Sequence, residues 1–295
     1  MSEFPDSDIY FLTKHLYAEI VSGVIPDDHI IPYDDSFSGI FKIIKRLNTI
    51  NFDYIIDLHR NQRSILIDSF VKGKVLKTKK RNIARRILIN AKKKRYTDES
   101  IVTDHHSALR IFELKKEYPP KLVVEKDDLD YAKKIGIDNK TIILHPGAKW
   151  PLKKWGDEKY DELSTYFSEA GYNPVFIDES EGSHPDHRRV IGGLSLSRLK
   201  GVLSSAALYI GNDSGPGHIA AALGTPTIAI FGPTHPALGF SPAGQKVMVI
   251  QNNFECSPCT LHGKGNCLVN KSPSAECMKK LLSKEVFDKA INLIK

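Results

Sequence analysis

Eight consecutive residues, Gly211-Asn212-Asp213-Ser214-Gly215-Pro216-Gly217-His218, carry the densest chemistry in the sequence. They join an apolar run, ALYI, to a helix-forming run, IAAALG. Asp213 or Ser214 supplies an N-cap. Gly215 and Gly217 permit a tight turn and close approach of a ligand to the backbone. Pro216 falls in the first helical turn, where a missing N–H costs little. The helix start then offers unpaired N–H groups and the positive end of the dipole, which suits a phosphate. Its place after a strand matches the carboxyl-end position at which open α/β sheets bind ligands. Three readings fit. One is a dinucleotide fold through Gly215-x-Gly217-x-x-Ala220, but no Asp or Glu occurs from Ser214 to Phe254 to hold a ribose. One is a capped turn with no ligand. The third, favoured here, is a nucleotide-diphosphate-sugar site.

Alternating elements must position this turn. TIILHPG, NPVFIDES, ALYIGND and TPTIAIFG read as strands. DEKYDELSTYFSEAG, SLSRLKGVLSSA and HIAAALG read as the helices between them, and KEVFDKAINLIK closes the chain as a helix. The alternation implies a parallel sheet covered on both faces. The first half repeats the theme: strands DIYFLT, HIIPY and FDYIIDLH, with helices over HLYAEIVSG, GIFKIIKRLNTI and RNQRSILIDSF. KKEYPPKLVVEKDD, with two prolines and clustered charge, reads as a linker. The 295 residues suit two domains.

The net charge of +7 is unevenly placed. Twelve Lys or Arg and no acid lie from Ser69 to Thr97. There NIARRILINAKKKR sets Ile83, Ile87 and Asn90 on one face, an amphipathic helix with cationic flanks. Such a block suits an anionic partner or forms a solvated helix face. It lacks aromatic interleaving, which argues against nucleic acid. No apolar run approaches the roughly 20 residues of a membrane span. The acidic start MSEFPDSDIYF has no signal-peptide pattern, so a cytoplasmic location is expected. Cys256, Cys259, Cys267 and Cys277 are irregularly spaced and read as packed thiols rather than a zinc site; no metal and no cofactor is expected.

Four segments resemble glycosyltransferase family 9, the ADP-heptose:lipopolysaccharide heptosyltransferases. GNDSGPGHIAAALGTPTIAIFGPTHP is similar to the family's donor motif, and ILHPGAKWPLKKW to the opening of its donor domain. CSPCTLHGKGNC resembles its cysteine-containing tail, and FDYIIDLHRNQRS its first-domain strand and loop. The resemblance implies an α/β fold of GT-B type: two Rossmann-like domains with parallel sheets facing a cleft. It divides the chain into an acceptor-side domain over 1–122, a donor domain over 123–280, and a helix over 281–295 crossing back to the first domain. It implies inverting transfer of a heptose from ADP-heptose to an anionic lipopolysaccharide core acceptor, with peripheral contact at the inner membrane surface. Asp213, Ser214 and Gly215 would contact the donor, with Gly217 and His218 on the same turn. Lys153, in Lys153-Lys154-Trp155, would neutralise the departing diphosphate. Glu179 or Glu181 would hold a hydroxyl of the donor. Arg60, Arg85 and Arg86 would face the acceptor or the membrane.

The family opens with a strand and a Gly-Asp loop whose Asp is the expected base. Residue 1 falls just before the family's second strand, so the first domain reads as incomplete and the catalytic residue is unassigned. Asp57 and His59, at a strand end, are candidates to bind acceptor or replace the base; a structural role for Asp57 has equal weight. The alternatives are a non-catalytic nucleotide-sugar binder or another GT-B enzyme, such as a sugar-nucleotide epimerase.

Overall fold

In the second half, three strands carry the apolar runs read above. β-branched and aromatic residues dominate them, and every residue of the three is buried. Burial on both faces is what a parallel sheet between two helical layers requires. The computed structural model describes residues 4–91, 100–114, 118–178, 188–252 and 254–295. Its chain divides into two compact units, one of residues 1–81 and 99–118, the other of 82–98 and 119–295.

The first unit contains β1 (Phe11–Lys14), β2 (Ile30–Tyr33), α1 (Phe37–Leu47), β3 (Tyr54–Asp57), α2 (Gln62–Phe70) and β4 (Lys74–Lys77). α3 (Asn82–Ala91) groups with the second unit, and α4 (Ile101–His106) returns to the first. β1 pairs in parallel with β2, and β3 with β4, as two separate two-stranded sheets. α1 buries Ile40, Ile43, Ile44 and Leu47, the i, i+3, i+4, i+7 stripe of an amphipathic helix. These residues cluster with Ile31, Ile67 and Val71. Residues His15–Val21, expected as an α-helix, form a 3-10 helix in which no residue is buried. With no apolar face to pack, nothing favours the longer helix there.

The second unit continues with α5 (Lys126–Lys134), β5 (Thr141–His145), α6 (Asp157–Glu169), β6 (Asn173–Ile177), β7 (Val190–Ile191), α7 (Leu196–Ser205), β8 (Leu208–Asn212), α8 (Gly215–Leu223), β9 (Thr227–Phe231), β10 (Val247–Gln251), α9 (Glu276–Lys279) and α10 (Ser283–Ile294). Its parallel sheet has the order β10-β9-β8-β5-β6-β7. Alternation along the strands divides the core. Ile142, Leu144, Leu208, Ile210, Ile228 and Ile230 face Tyr160, Leu163 and Phe167 of α6 and Val286 and Ala290 of α10. Ile143, Val175 and Tyr209 face Leu199, Val202 and Leu203 of α7 and Ala220 of α8. The closing helix α10 thus packs on α6, within the second unit.

The contact of α5 with α7 is close because Gly201 has no side chain. A methyl group there would lie 2.2 Å from the Asp128 carbonyl oxygen. Gly201→Ala is therefore expected to lower stability by about 2 kcal/mol through overpacking, measurable as a lower denaturation midpoint in urea.

Candidate functional site

β8 delivers the turn, and Asn212 fixes its surroundings. The buried Asn212 amide donates to the Pro146 carbonyl at 2.8 Å. Its oxygen accepts from the Trp155 N–H and from Tyr160 Oη, both at 3.2 Å. One side chain therefore ties the end of β8 to the loop after β5 and to the start of α6. Trp155 is buried, its indole N–H donating to the Leu281 carbonyl at 3.1 Å.

This lattice holds Lys153 beside Asp213. The Lys153 ammonium is 2.7 Å from Asp213 Oδ2 and donates to the Asp213 carbonyl at 3.2 Å. Thr234 Oγ1 donates to the same Oδ2 at 2.9 Å. Two of the three lysine N–H directions are thus used among the described residues.

α8 opens directly after Asp213. Ser214 is its N-cap by position, but its side chain makes no capping bond. Instead Ser214 Oγ donates to the Asn212 carbonyl and lies 3.1 Å from His145 Nδ1. Among the described residues, the first turn of α8 therefore has no N-cap side chain accepting from its N–H groups. Gly215 is exposed, and a methyl group built on it meets nothing within 4 Å. Pro216 stands at the helix start, and Gly224, at φ 83°, ends the helix. This is an open helix start beside a lysine, an arrangement with the chemistry to receive phosphate oxygens.

Beneath the turn lies a buried support that sequence reading missed. His145 Nδ1 is also 3.1 Å from Tyr209 Oη. Two glycines make room for these rings. A methyl group on Gly211 would be 2.2 Å from Tyr209 Oη, and one on Gly147 would be 2.6 Å from His145 Nε2. Burial pulls the His145 pKa down to about 4, with Asp178 opposing. The His145-Pro146-Gly147 spacing was visible in the sequence, but its partners are more than 60 residues away.

His218 projects from the first turn of α8 and is exposed. Desolvation by surrounding protein lowers its pKa, Lys153 adds to the effect, and Asp213 works against it. Under the turn, a methyl group on Gly217 would lie 3.3 Å from Tyr209 Cε1. Lys153, Asp213, Ser214, Gly215, Gly217 and His218 therefore form one locality. Glu179 and Glu181 fall outside the described residues.

The remaining candidates sit differently. The Asp57 carboxylate accepts from the His59 N–H at 2.9 Å, the Arg60 N–H at 2.8 Å and Ser64 Oγ at 3.0 Å. Burial would raise its pKa, but these hydrogen bonds and Asp68 outweigh it and leave it low. Asp57 is placed as the anchor of the turn at Arg60, where φ is 46°. Asp68 next to it is pushed up to about 6 by burial and by the Asp57 charge. Arg60 donates to the Thr78 carbonyl at 3.1 Å. Arg86 is exposed, whereas Arg85 is buried; its Nε donates to the Leu238 carbonyl at 2.8 Å and its guanidinium lies over Phe240.

The cysteines gather near β9. Cys259 Sγ is 3.7 Å from the Pro233 carbonyl, and the Glu276 N–H donates to Cys267 Sγ at 3.5 Å. Burial pushes the Cys259 thiol up to about 11 and the Cys277 thiol up to about 12. Among the described residues no group of three or more His, Cys, Asp or Glu is arranged to hold a metal ion.

A parallel α/β unit with an open phosphate-type helix start after a central strand defines the class of site. The family model of glycosyltransferase family 9 (heptosyltransferase) matches residues 40–267, most of the chain. The chain belongs to that family, and its fold is α/β of GT-B type. It is 27% identical over 231 residues to lipopolysaccharide heptosyltransferase 1 of Pseudomonas aeruginosa, covering 73% of this chain and 64% of that protein. The chain thus spans less than two thirds of that relative. E. coli ADP-heptose lps heptosyltransferase II superposes with a TM-score of 0.70 at 18% identity, covering 99% of this chain and 91% of its own. E. coli heptosyltransferase WaaC with ADP-2-deoxy-2-fluoro heptose superposes at 0.67 and 16% identity, with the same 99% and 91% coverage.

The His145 pKa carries a sign that can be checked. Its folded value, about 4, lies below the 6.5 of a free histidine. The unfolded chain therefore takes the proton first, and stability falls as pH drops through 6.5 towards 4. From about pH 7 to pH 5 this one group is expected to remove about 2 kcal/mol. Urea titrations at the two pH values, on wild type and His145→Gln, should show the smaller pH dependence in the variant.

Proposed function

We propose that this chain transfers a heptose from ADP-heptose to a lipopolysaccharide core acceptor, with the donor diphosphate at the start of α8. The observation that carries the reading is the uncapped first turn of α8 beside Lys153 and Asp213. The donor's chemistry is taken from the related WaaC, seen with a fluorinated ADP-heptose. Backbone N–H groups of Gly215 onward would hold the diphosphate oxygens, and Lys153 would add the cation. Asp213 and Thr234 hold that ammonium in place before the donor arrives, so little reorganisation accompanies the reaction.

In the transfer, an acceptor hydroxyl oxygen bonds to the anomeric carbon as the bond from that carbon to the diphosphate oxygen breaks. The configuration inverts. The electron pair leaves with ADP, and the hydroxyl proton passes to a base. Charge builds on the departing diphosphate, where the helix dipole and Lys153 act most strongly.

Incubation of the full chain with ADP-heptose and a heptose-deficient core acceptor should give heptosylated product. Lys153→Ala is expected to lower kcat/KM about 100-fold. Gly215→Ala should leave the melting temperature unchanged, since the protein offers space for the methyl group, yet raise the donor KM. Absence of product from the wild-type chain would sink the proposal.

We also infer peripheral contact with an anionic membrane surface. α3 exposes Ile83 and Ile87, 75% and 54% accessible, beside the exposed Arg86. The pattern is that of an interfacial helix, apolar residues flanked by cations. Among the described residues no helix is long and apolar enough to cross a membrane. Cosedimentation with vesicles containing anionic phospholipid should fall for Ile83→Asp/Ile87→Asp; equal binding by variant and wild type would count against the contact.

A further inference from the structure

The cysteine-bearing loop touches the stem of Lys153. A methyl group on Gly263 would lie 2.7 Å from Lys153 Cγ and 3.4 Å from Trp150 Cβ. Gly263 has φ 83°, and its N–H donates to Thr260 Oγ1 at 3.2 Å, which closes a tight turn. The residue before it, His262, is exposed. The His262 ring lies 6.5 Å from that of Phe240, tilted by 37°. Phe240 also meets Arg85, whose guanidinium stands 4.4 Å from the ring centroid. Arg85 is fixed there by the Leu238 carbonyl. The loop, α3 and the residues after β9 thus bring His262, Arg85 and Lys153 into one corner of the second unit.

The charged groups acting on His262 are Lys153 and Arg85, which repel a proton, and Asp213, which attracts one. Those acting on His218 are Asp213 and Lys153. Desolvation is the largest influence on each ring, and both pKa values are lowered. Beside His262 the two cations disfavour the imidazolium, and an anion bound next to them would offset that. A bound diphosphate is such an anion. It would favour the imidazolium and accept a charge-assisted hydrogen bond from it.

We propose that His262 is a phosphate ligand of the donor site, supplied by the cysteine-bearing loop, and that it takes up a proton when a nucleoside diphosphate binds. The proposal rests on the reading of the α8 start as the diphosphate site. Uptake on His262 makes binding tighter as pH falls towards the free ring's pKa, because the complex then holds a proton that the free protein lacks.

The test is calorimetric titration of ADP into the full chain, from about pH 6.5 to pH 8, in two buffers of different ionisation enthalpy. Wild type should show net proton uptake. His262→Gln should bind ADP about tenfold more weakly at the acid end and lose most of that uptake. The phosphate's own ionisation is common to both proteins and cancels in the difference. His218→Gln should retain the part of the uptake that belongs to His262. An unchanged melting temperature for His262→Gln, expected for an exposed side chain, excludes a folding effect. Equal uptake in wild type and His262→Gln overturns the proposal; if Lys153→Ala still weakens ADP, the diphosphate site itself stands. No ADP binding by wild type overturns both.

Discussion

The second unit depends on the Asn212 side chain. Three segments reach it: the loop leaving β5, the stretch that carries Lys153 and Trp155, and the first turns of α6. None of these is a sequence neighbour of β8. Asn212, Trp155 and Tyr160 are buried, and an unpaired polar group among them would cost about 1–3 kcal/mol. The network therefore has one low-energy arrangement, and in that arrangement the Lys153 ammonium reaches Asp213. The ion pair is a consequence of the packing below it.

A second constraint acts from the opposite side. His145, Tyr209 and Ser214 meet in a space cleared by Gly147 and Gly211. The serine hydroxyl is drawn down towards them, so it does not cap α8. The helix start stays open because the residue that could fill it is engaged elsewhere. Both halves of this arrangement rest on β5 and β8, adjacent strands at the centre of the sheet. A rigid, doubly covered sheet fixes such positions more tightly than a loop could.

The apolar pattern of the second half was legible where burial is complete: every residue of β5, β8 and β9 is buried. β5, β6, β8 and β9 fall on the expected runs. β4 was not legible. Its KVLK sequence lies inside the basic block, and two of its four residues point lysines to solvent. β10 was also missed, since VMVIQ follows a polar stretch with no clear stop signal. α5 begins inside what reads as a linker; its charged residues obscure a single buried stripe through Ala132. At the site, the strand-to-helix turn and the N-cap position of Ser214 were readable from local rules, but not that the serine hydroxyl turns away from the helix. Asn212, His145, Tyr209 and Thr234 were not, because their roles come from partners 21 to 69 residues distant. The burial of Arg85 escaped notice for the same reason: its acceptor lies 153 residues on.

The open start of α8 has a practical consequence. Backbone amides and an ammonium respond to the charge and tetrahedral shape of an oxyanion, and only weakly to what the oxyanion is attached to. Inorganic phosphate and sulfate present the same oxygens as a nucleotide. Buffers and precipitants made from them would compete with a diphosphate seated as proposed. With a diphosphate seated there as proposed, work on the isolated chain belongs in amine buffers with chloride as counterion at modest ionic strength, free of tetrahedral oxyanions.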